Sequence, residues 1–361
     1  MFDVITIGSA TRDVFLFVQA LHPHRESDAV SKIEACLPFG AKIDIERLAF
    51  DTGGGATNSA ATFARLGKFE VAALTRIGQD SRGQSILKVL HADNIDTSLV
   101  QVTNKDHTAY SSILSPTHAH SERTILVYRG ASSCIESSKI PWTKLRAKWF
   151  YISSLGGDLL LLKKLIDHAR RIKAQVAWNP GGQELSKLTP PLRLRGGWEG
   201  LRQSIDFLIL NREEAAKLTG KKFDDTKGLL RALARTTHIA VMTDGPKGAY
   251  AIVGSQSSVH SSQYRNSKTN YPITKLPNHQ TAYFVPSVGH KPENLTGAGD
   301  AFGSGFVTGW IKSRGDIKYA LRLASFNADS VVQHVGAKNG ILEKIPSAKQ
   351  LQKLPVKTLH I

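Results

Sequence analysis

The sequence predicts an α/β fold: a doubly wound, mostly parallel sheet flanked by helices, with a small strand-rich part set apart from it. Three observations carry that expectation. Short β-branched or apolar runs at residues 4–7, 71–75, 149–153, 175–179, 207–210 and 239–243 alternate with helical stretches at 56–66, 85–92, 159–173 and 213–218. Two glycine clusters, Gly53-Gly54-Gly55 and Gly297-Ala298-Gly299, each precede a run of small, helix-compatible residues. Two segments, 13–50 and 107–129, break the alternation with consecutive strand formers such as Val14-Phe15-Leu16-Phe17-Val18 and Thr124-Ile125-Leu126-Val127-Tyr128.

The chain opens Met1-Phe2-Asp3-Val4-Ile5-Thr6-Ile7, which reads as a first strand and lacks the basic stretch that begins a secretory leader. No apolar run approaches the roughly 20 residues of a membrane span, so no membrane partner is expected. Cys36 and Cys134 are far apart and show no CxxC spacing, which points to a reducing, cytoplasmic location. A chain of 361 residues can bury a large core. The net charge of +17 would attract anionic ligands and nucleic acid alike. Lysines and arginines are dispersed over helical stretches without interleaved aromatics, so no specific nucleic-acid binding is expected. Residues 254–292 are polar and turn-rich and read as an insertion within the core domain. His22-Pro23-His24 and His118-Ala119-His120 have spacings that could chelate zinc if brought together, a reading set aside for want of further support.

The stretch from Asn294 to Gly305 carries most of the chemistry. A turn at Gly297-Ala298-Gly299 that opens a helix leaves backbone N–H groups unpaired and aimed at one point, where the helix dipole also favours an anion. Asp300, the next residue, would stand within reach of whatever binds there, as a base must to take a proton from an attacking hydroxyl. The same residues could be no more than a tight turn with a cap. The second cluster places Asn58 where the backbone can be approached closely, and two such clusters suggest two substrates meeting. The GxGxxG pattern fails at its third glycine, GxxxxGK[ST] is absent, and the protein-kinase motifs are missing, which excludes the usual dinucleotide, P-loop and protein-kinase sites.

With its glycine block followed by Asn58 and its Asn294-Leu295-Thr296-Gly297-Ala298-Gly299-Asp300 block, the chain resembles the PfkB or ribokinase-like carbohydrate kinases over nearly its whole length. The resemblance implies a ribokinase-like core (1–12, 51–106 and 130–361) with a β-sheet lid formed by 13–50 and 107–129. It implies that Asp300 is the catalytic base and that Gly297, Ala298 and Gly299 form an anion hole. Asp13, Gly54, Gly55 and Asn58 would hold the acceptor. Asn211, Thr243, Gly245, Gly248 and Asn327 would bind ATP, and Glu214, from Asn211-Arg212-Glu213-Glu214, would organise Mg2+ through water. The family block usually opens Asp-Thr and that aspartate helps bind an activating K+; Asn294-Leu295 stand there instead, leaving a potassium requirement open.

The expected activity is ATP-dependent phosphorylation of a sugar hydroxyl, as in a ribokinase or fructokinase. The alternatives are a nucleoside kinase of the same family, a non-catalytic ligand-binding member, and a nucleic-acid-binding protein. Phe15, Phe17, Phe39 and Tyr110 could platform a nucleobase or could be the lid's own packing. Lid strands have edges that family members commonly bury by dimerising, so a homodimer through the lid is expected.

Overall fold

The computed structural model describes every residue except 20, 22–36, 117–122, 189–203 and 255–280, which leaves both histidine pairs outside the described residues. The first part of the chain forms β1 (Phe2–Ile7), β2 (Thr11–Val18), β3 (Arg47–Gly53), β4 (Val71–Leu74), β5 (Arg76–Gly78), β6 (Gln101–Thr103), β7 (Ala109–Pro116) and β8 (Thr124–Tyr128). The remainder forms β9 (Ala147–Ile152), β10 (Gln175–Trp178), β11 (Phe207–Asn211), β12 (Ile239–Thr243), β13 (Ala249–Val253), β14 (Thr281–Val285) and β15 (Lys357–His360). Helices are α1 (Gly55–Arg65), α2 (Ser81–Ala92), α3 (Leu159–Ile172), α4 (Gly182–Leu188), α5 (Arg212–Thr219), α6 (Thr226–Leu233), α7 (Ala298–Ser313), α8 (Ile317–Val332) and α9 (Ala348–Lys353). Among the described residues no helix is long and apolar enough to cross a membrane.

The main sheet has nine strands in the order β15-β14-β13-β12-β11-β10-β9-β1-β4. Pairing is parallel from β4 through β12 and antiparallel from β12 through β15. Successive strand residues face opposite sides, so the central strands are apolar throughout and feed two cores. Ile5, Phe150, Ile152, Val176, Trp178 and Leu208 pack on the side of α3 and α6, whereas Val4, Trp149, Tyr151, Phe207 and Ile209 pack under α1, α7 and α8. The result is helices on both faces, as the alternating pattern predicts.

The antiparallel end of the sheet differs from the sequence-based expectation. Residues 254–292 were expected to be an insertion, yet Thr281–Val285 within them form β14, buried and paired on both sides. The polar, proline-bearing residues around this short run conceal its strand character from a composition argument. Residues 255–280 lie outside the described residues.

A second sheet has the order β3-β2-β7-β8. It draws its strands from the two segments that break the alternation, and it also takes in Thr11, Arg12 and residues 51–53. Asp13 lies abreast of Asp51 on one neighbour and Ser111 on the other. Phe15, Phe17 and Ile113 are buried on the same sheet. Strand β8 is an edge, and all five of its residues are exposed.

Chain order places the site. The chain leaves β1, builds β2 and β3, returns through α1 to β4 on one side of β1, and later adds β9 on the other. β1 is therefore the switch point of the sheet, and ligands of such folds bind at the carboxyl ends of strands beside it.

Asp80 fastens the second sheet to the core. It caps α2 by accepting from Gly83 N and also accepts from the backbone and hydroxyl of Thr108, just ahead of β7. Burial alone would raise its pKa, but the Thr108 hydroxyl, the two backbone N–H groups and Arg82 together bring it down to about 2. A carboxyl depressed by folding contributes stability that is full above its unfolded value and is lost as pH falls toward its folded one. Asp80→Ala is expected to lower the unfolding free energy by about 1–2 kcal/mol at neutral pH. Urea titrations at several pH values should show that difference shrinking as the pH drops from about 4 toward 2.

Candidate active site

Most helices here have a side chain closing their amino end: Asp80 for α2, Asp158 for α3, Asn211 for α5, Asp225 for α6, Asp316 for α8 and Ser347 for α9. The glycine-led helices α1 and α7 have none; Gly54 and Gly297 stand at their caps without a side-chain bond. Those two bare ends meet at the switch point. Asn58, in the first turn of α1, donates from Nδ2 to Asp300 Oδ2 in the first turn of α7 at 2.8 Å.

Gly297 is held at φ +82°, and a Cβ there would come within 2.7 Å of Ala337, so both the backbone conformation and the space demand glycine. Ala301 N bonds to Gly297 O, whereas the amides of Gly299 and Asp300 have no protein partner among the described residues. A Cβ on Gly299 would meet nothing within 4 Å. An open space bordered by two unpaired amides at a helix amino end fits an anion. Gly55 is constrained differently, since a Cβ there would lie 2.5 Å from Ser153 Oγ and 3.7 Å from Asp300 Oδ1.

Asp300 is half-buried. Burial raises its pKa above the usual carboxylate range and Asp13 adds to this, against the opposing effects of the Asn58 bond and the Lys338 ammonium. Asp13 is buried and raised likewise, chiefly by desolvation. Its Oδ1 accepts from Thr11 Oγ1 at 2.8 Å and from Ser111 Oγ at 2.5 Å. A Cβ on Gly53 would fall 1.9 Å from the other oxygen, Oδ2, so glycine is what gives that oxygen room.

The structure thus brings Asp13, Gly54, Gly55, Asn58, the glycine turn and Asp300 together. Asn211 and Thr243 lie abreast at the carboxyl ends of β11 and β12. Asn211 Oδ1 accepts from Glu214 N while Glu214 Oε2 accepts from Asn211 N, both at 2.8 Å, a reciprocal cap. Burial raises Glu214 above the ordinary glutamate range against the Asn211 N–H bond, and the charges of Asp300, Glu213 and Glu184 raise it further. Gly245 has φ +54° and open space at its Cβ position, whereas Gly248 is packed against Val285 O.

Asn327 departs from expectation. It is fully buried; Nδ2 donates to Ala301 O and Oδ1 accepts from Leu342 N, so its amide clamps α7 to α8 instead of facing a ligand. The aromatic alternatives resolve in part toward packing. Phe15 and Phe17 are buried in the second sheet, Tyr110 is half-buried with Arg82 5.6 Å from its ring centroid, and Phe39 is fully exposed.

Three groups escaped the sequence reading. Arg212 and Asp244 form a buried bidentate pair, with both contacts at 2.6 Å, that ties the start of α5 to the turn after β12. Glu184 is fully buried and accepts from the backbone of Leu155, Gly157 and Gly181, holding the loop after β9. Lys338 is buried between Thr52 and Asn58. Arg212 and Asp244 lie within the Asn211–Glu214 and Thr243–Gly248 stretches but are not the residues those stretches single out, and only the fold brings each of the three groups to its partner.

The sequence pattern of the pfkB family carbohydrate kinases matches residues 1–345. The chain belongs to that family. It is 25% identical over 304 residues to a cytidine kinase of Thermococcus kodakarensis, covering 81% of this chain and 95% of that one. It is 24% identical over 345 residues to a ribokinase of Staphylococcus aureus, covering 94% and 96%. The Arabidopsis thaliana ribokinase solved with ribose and ATP superposes with a TM-score of 0.69 at 18% identity, covering 98% of each chain. The fold is ribokinase-like and the chain is a PfkB-family kinase of ribokinase type.

The two glycines of the α7 turn separate fold from ligand. Gly297→Ala should cost more than about 1 kcal/mol of stability, since it forces an L residue to positive φ against Ala337. Gly299→Ala should leave the melting temperature unchanged or higher while weakening phosphate binding, because its methyl enters the open space. Thermal unfolding with and without ATP distinguishes the two.

Proposed function

We propose that this kinase is an ATP-dependent, magnesium-requiring cytoplasmic enzyme that phosphorylates a primary hydroxyl of a sugar, with Asp300 as the base. The observation that carries this reading is the Asn58–Asp300 pair set beside two unpartnered amides and the open space over Gly299.

In this mechanism Asp13 accepts hydrogen bonds from acceptor hydroxyls through Oδ2, and Asn58, which retains a second amide hydrogen, helps hold the acceptor. Gly54 and Gly55 let the acceptor approach the backbone at the start of α1. Asp300 takes the proton of the attacking hydroxyl as its oxygen bonds to the γ-phosphorus and the bond to ADP breaks. The amides of the Gly297, Ala298 and Gly299 turn offset the charge on the transferring group, the free N–H groups of Gly299 and Asp300 most directly, since Ala298 N also bonds to Leu295 O. Asn211, Thr243, Gly245 and Gly248 border the nucleotide, while Asn327 contributes by holding α8 against α7. The described residues include no set of three or more His, Cys, Asp or Glu side chains that could hold a metal alone. Glu214 would organise a Mg2+ ion through water. When bound, the ion supplies countercharge to the phosphate oxygens.

Asn294 Oδ1 accepts from Thr296 N, so a neutral amide already satisfies the turn where relatives place an aspartate. A weak dependence on K+ follows within this reading.

A nucleoside acceptor is the second reading, favoured by the similarity to a cytidine kinase. The burial of Phe15 and Phe17 in packing favours the free sugar. A dimer through β8 belongs to the same proposal, since that edge strand exposes Ile125, Leu126 and Val127.

Asp300→Asn should lower kcat by on the order of 10²–10⁴ with ATP binding nearly intact. In the wild type, kcat/KM should fall as pH drops through a value above the ordinary carboxylate range, where Asp300 becomes protonated. Steady-state ADP release across pH checks both statements, and a variant keeping over about a tenth of wild-type turnover would remove Asp300 from the role of base.

Asp13→Ala should raise the KM of the true acceptor at least about tenfold. In an ADP-release panel of pentoses, hexoses and nucleosides, the highest kcat/KM is expected from a free sugar; a nucleoside ahead of every sugar would make the second reading correct. Leu126→Lys should halve the mass seen by light scattering.

A further inference from the structure

Lys338 is only 2% exposed, with its ammonium group at the heart of the molecule. It follows α8 in the Val335-Gly336-Ala337-Lys338 stretch that runs between the second sheet and the core. Val335 packs against the Phe15, Phe17 and Ile113 cluster, and a Cβ on Gly336 would meet Asp51 Oδ2 at 2.1 Å. The Lys338 carbonyl accepts from Arg65 Nη1 at 3.0 Å, anchoring the backbone to α1. Its Nζ donates to the backbone oxygen of Thr52 on β3 and, at 3.3 Å, to Oδ1 of Asn58.

Asn58 has one oxygen and one NH2, and the two must be told apart for its bond to Asp300 to mean anything. With the amide the other way round, Asn58 Oδ1 would face the Asp300 carboxylate and repel it. An ammonium group has only donors, so it fixes the oxygen on its own side and the NH2 on the side of Asp300. We propose that Lys338 is a positioning residue for phosphoryl transfer, orienting the Asn58 amide toward Asp300 and tying that orientation to strand β3 of the second sheet. This rests on the kinase reading for its activity, though not for its geometry.

The charges around the pair agree with this arrangement. Lys338 faces Asp51 on β3, Asp13 on β2, Arg65 on α1 and Asp93 after α2. Asp300 faces Asn58 and Lys338, with Asp13, Glu214 and the buried Tyr151 nearby. The Lys338 charge opposes the upward effect of burial on both Asp13 and Asp300. Burial pushes Lys338 itself below the ordinary lysine range, with Arg65 adding to that and three aspartates opposing it.

The test is Lys338→Met, alone and combined with Asn58→Ala. Loss of the ammonium should cut kcat at least about tenfold, change KM for ATP less than about twofold, and move the acidic limb of kcat/KM to higher pH, since Asp300 loses a stabilising cation. If Lys338 works through Asn58, the double variant should be little worse than Asn58→Ala alone. Additive losses, or a folded Lys338→Met with kcat within about twofold and an unmoved pH profile, would overturn the proposal. Should Lys338→Met fail to fold, Lys338→Gln carries the same measurements with a neutral donor of similar reach. Should the wild type phosphorylate no acceptor, the kinase reading falls by itself. Crystal structures of the Met or Gln variant then decide the positioning role: a flipped Asn58 or a broken Asn58–Asp300 bond sustains it, and an unchanged pair overturns it.

Discussion

The bond between Asn58 Nδ2 and Asp300 Oδ2 joins two helices whose amino ends are both left without a side-chain cap. Bare ends concentrate unpaired N–H groups and positive dipole at one place. Around it the fold supplies what such a place needs: glycines at 53–55 and 297 that give the backbones room, a parallel sheet whose switch point opens there, and carboxylates that an anion or a hydroxyl can meet. The close approach of α7 and α8 serves the same end. A Cβ on Gly309 would lie 2.7 Å from Ala320 Cα, and Asn327 holds Ala301 O, so α8 steadies the start of α7 without engaging the amides of Gly299 and Asp300.

Much of this is legible in the sequence because it is local. The strands that end at Ile7, Ile152, Asn211 and Thr243 announce themselves by apolar runs, and the two glycine clusters mark α1 and α7 by the residues that must precede them. The doubly wound α/β fold follows from those signals in order, and the resemblance to the PfkB family makes it ribokinase-like. The antiparallel end of the sheet does not, because β14 is a five-residue run among polar residues and β15 a short, largely exposed strand near the end of the chain. Only pairing with neighbours makes either a strand.

Side-chain partnership is harder still to read. Nothing in the sequence links Lys338 to Asn58, 280 positions away, or Arg212 to Asp244, and Asn327 reads equally as a ligand-facing amide or a buried clamp. Charged residues read as solvated until topology shows otherwise, which is why the buried Lys338, Glu184 and Arg212 went unmarked. Phe15 and Phe17 illustrate the reverse, since strand aromatics that could have formed a ligand surface are taken up by packing with Ile113.

Asp13 and Asp300 belong to different layers: one is carried by the second sheet, the other by the core. A molecule that touches both must therefore include, in its apparent affinity, the free energy of holding the two layers in register. An equilibrium in which the sheet stands in register only a fraction of the time would weaken binding by that fraction without altering a single contact. The Asp80 junction, the Arg47–Glu293 pair and the Lys338 link all bear on that register, though none needs to touch the ligand. Substitutions far from the cleft can in this way change how tightly it binds.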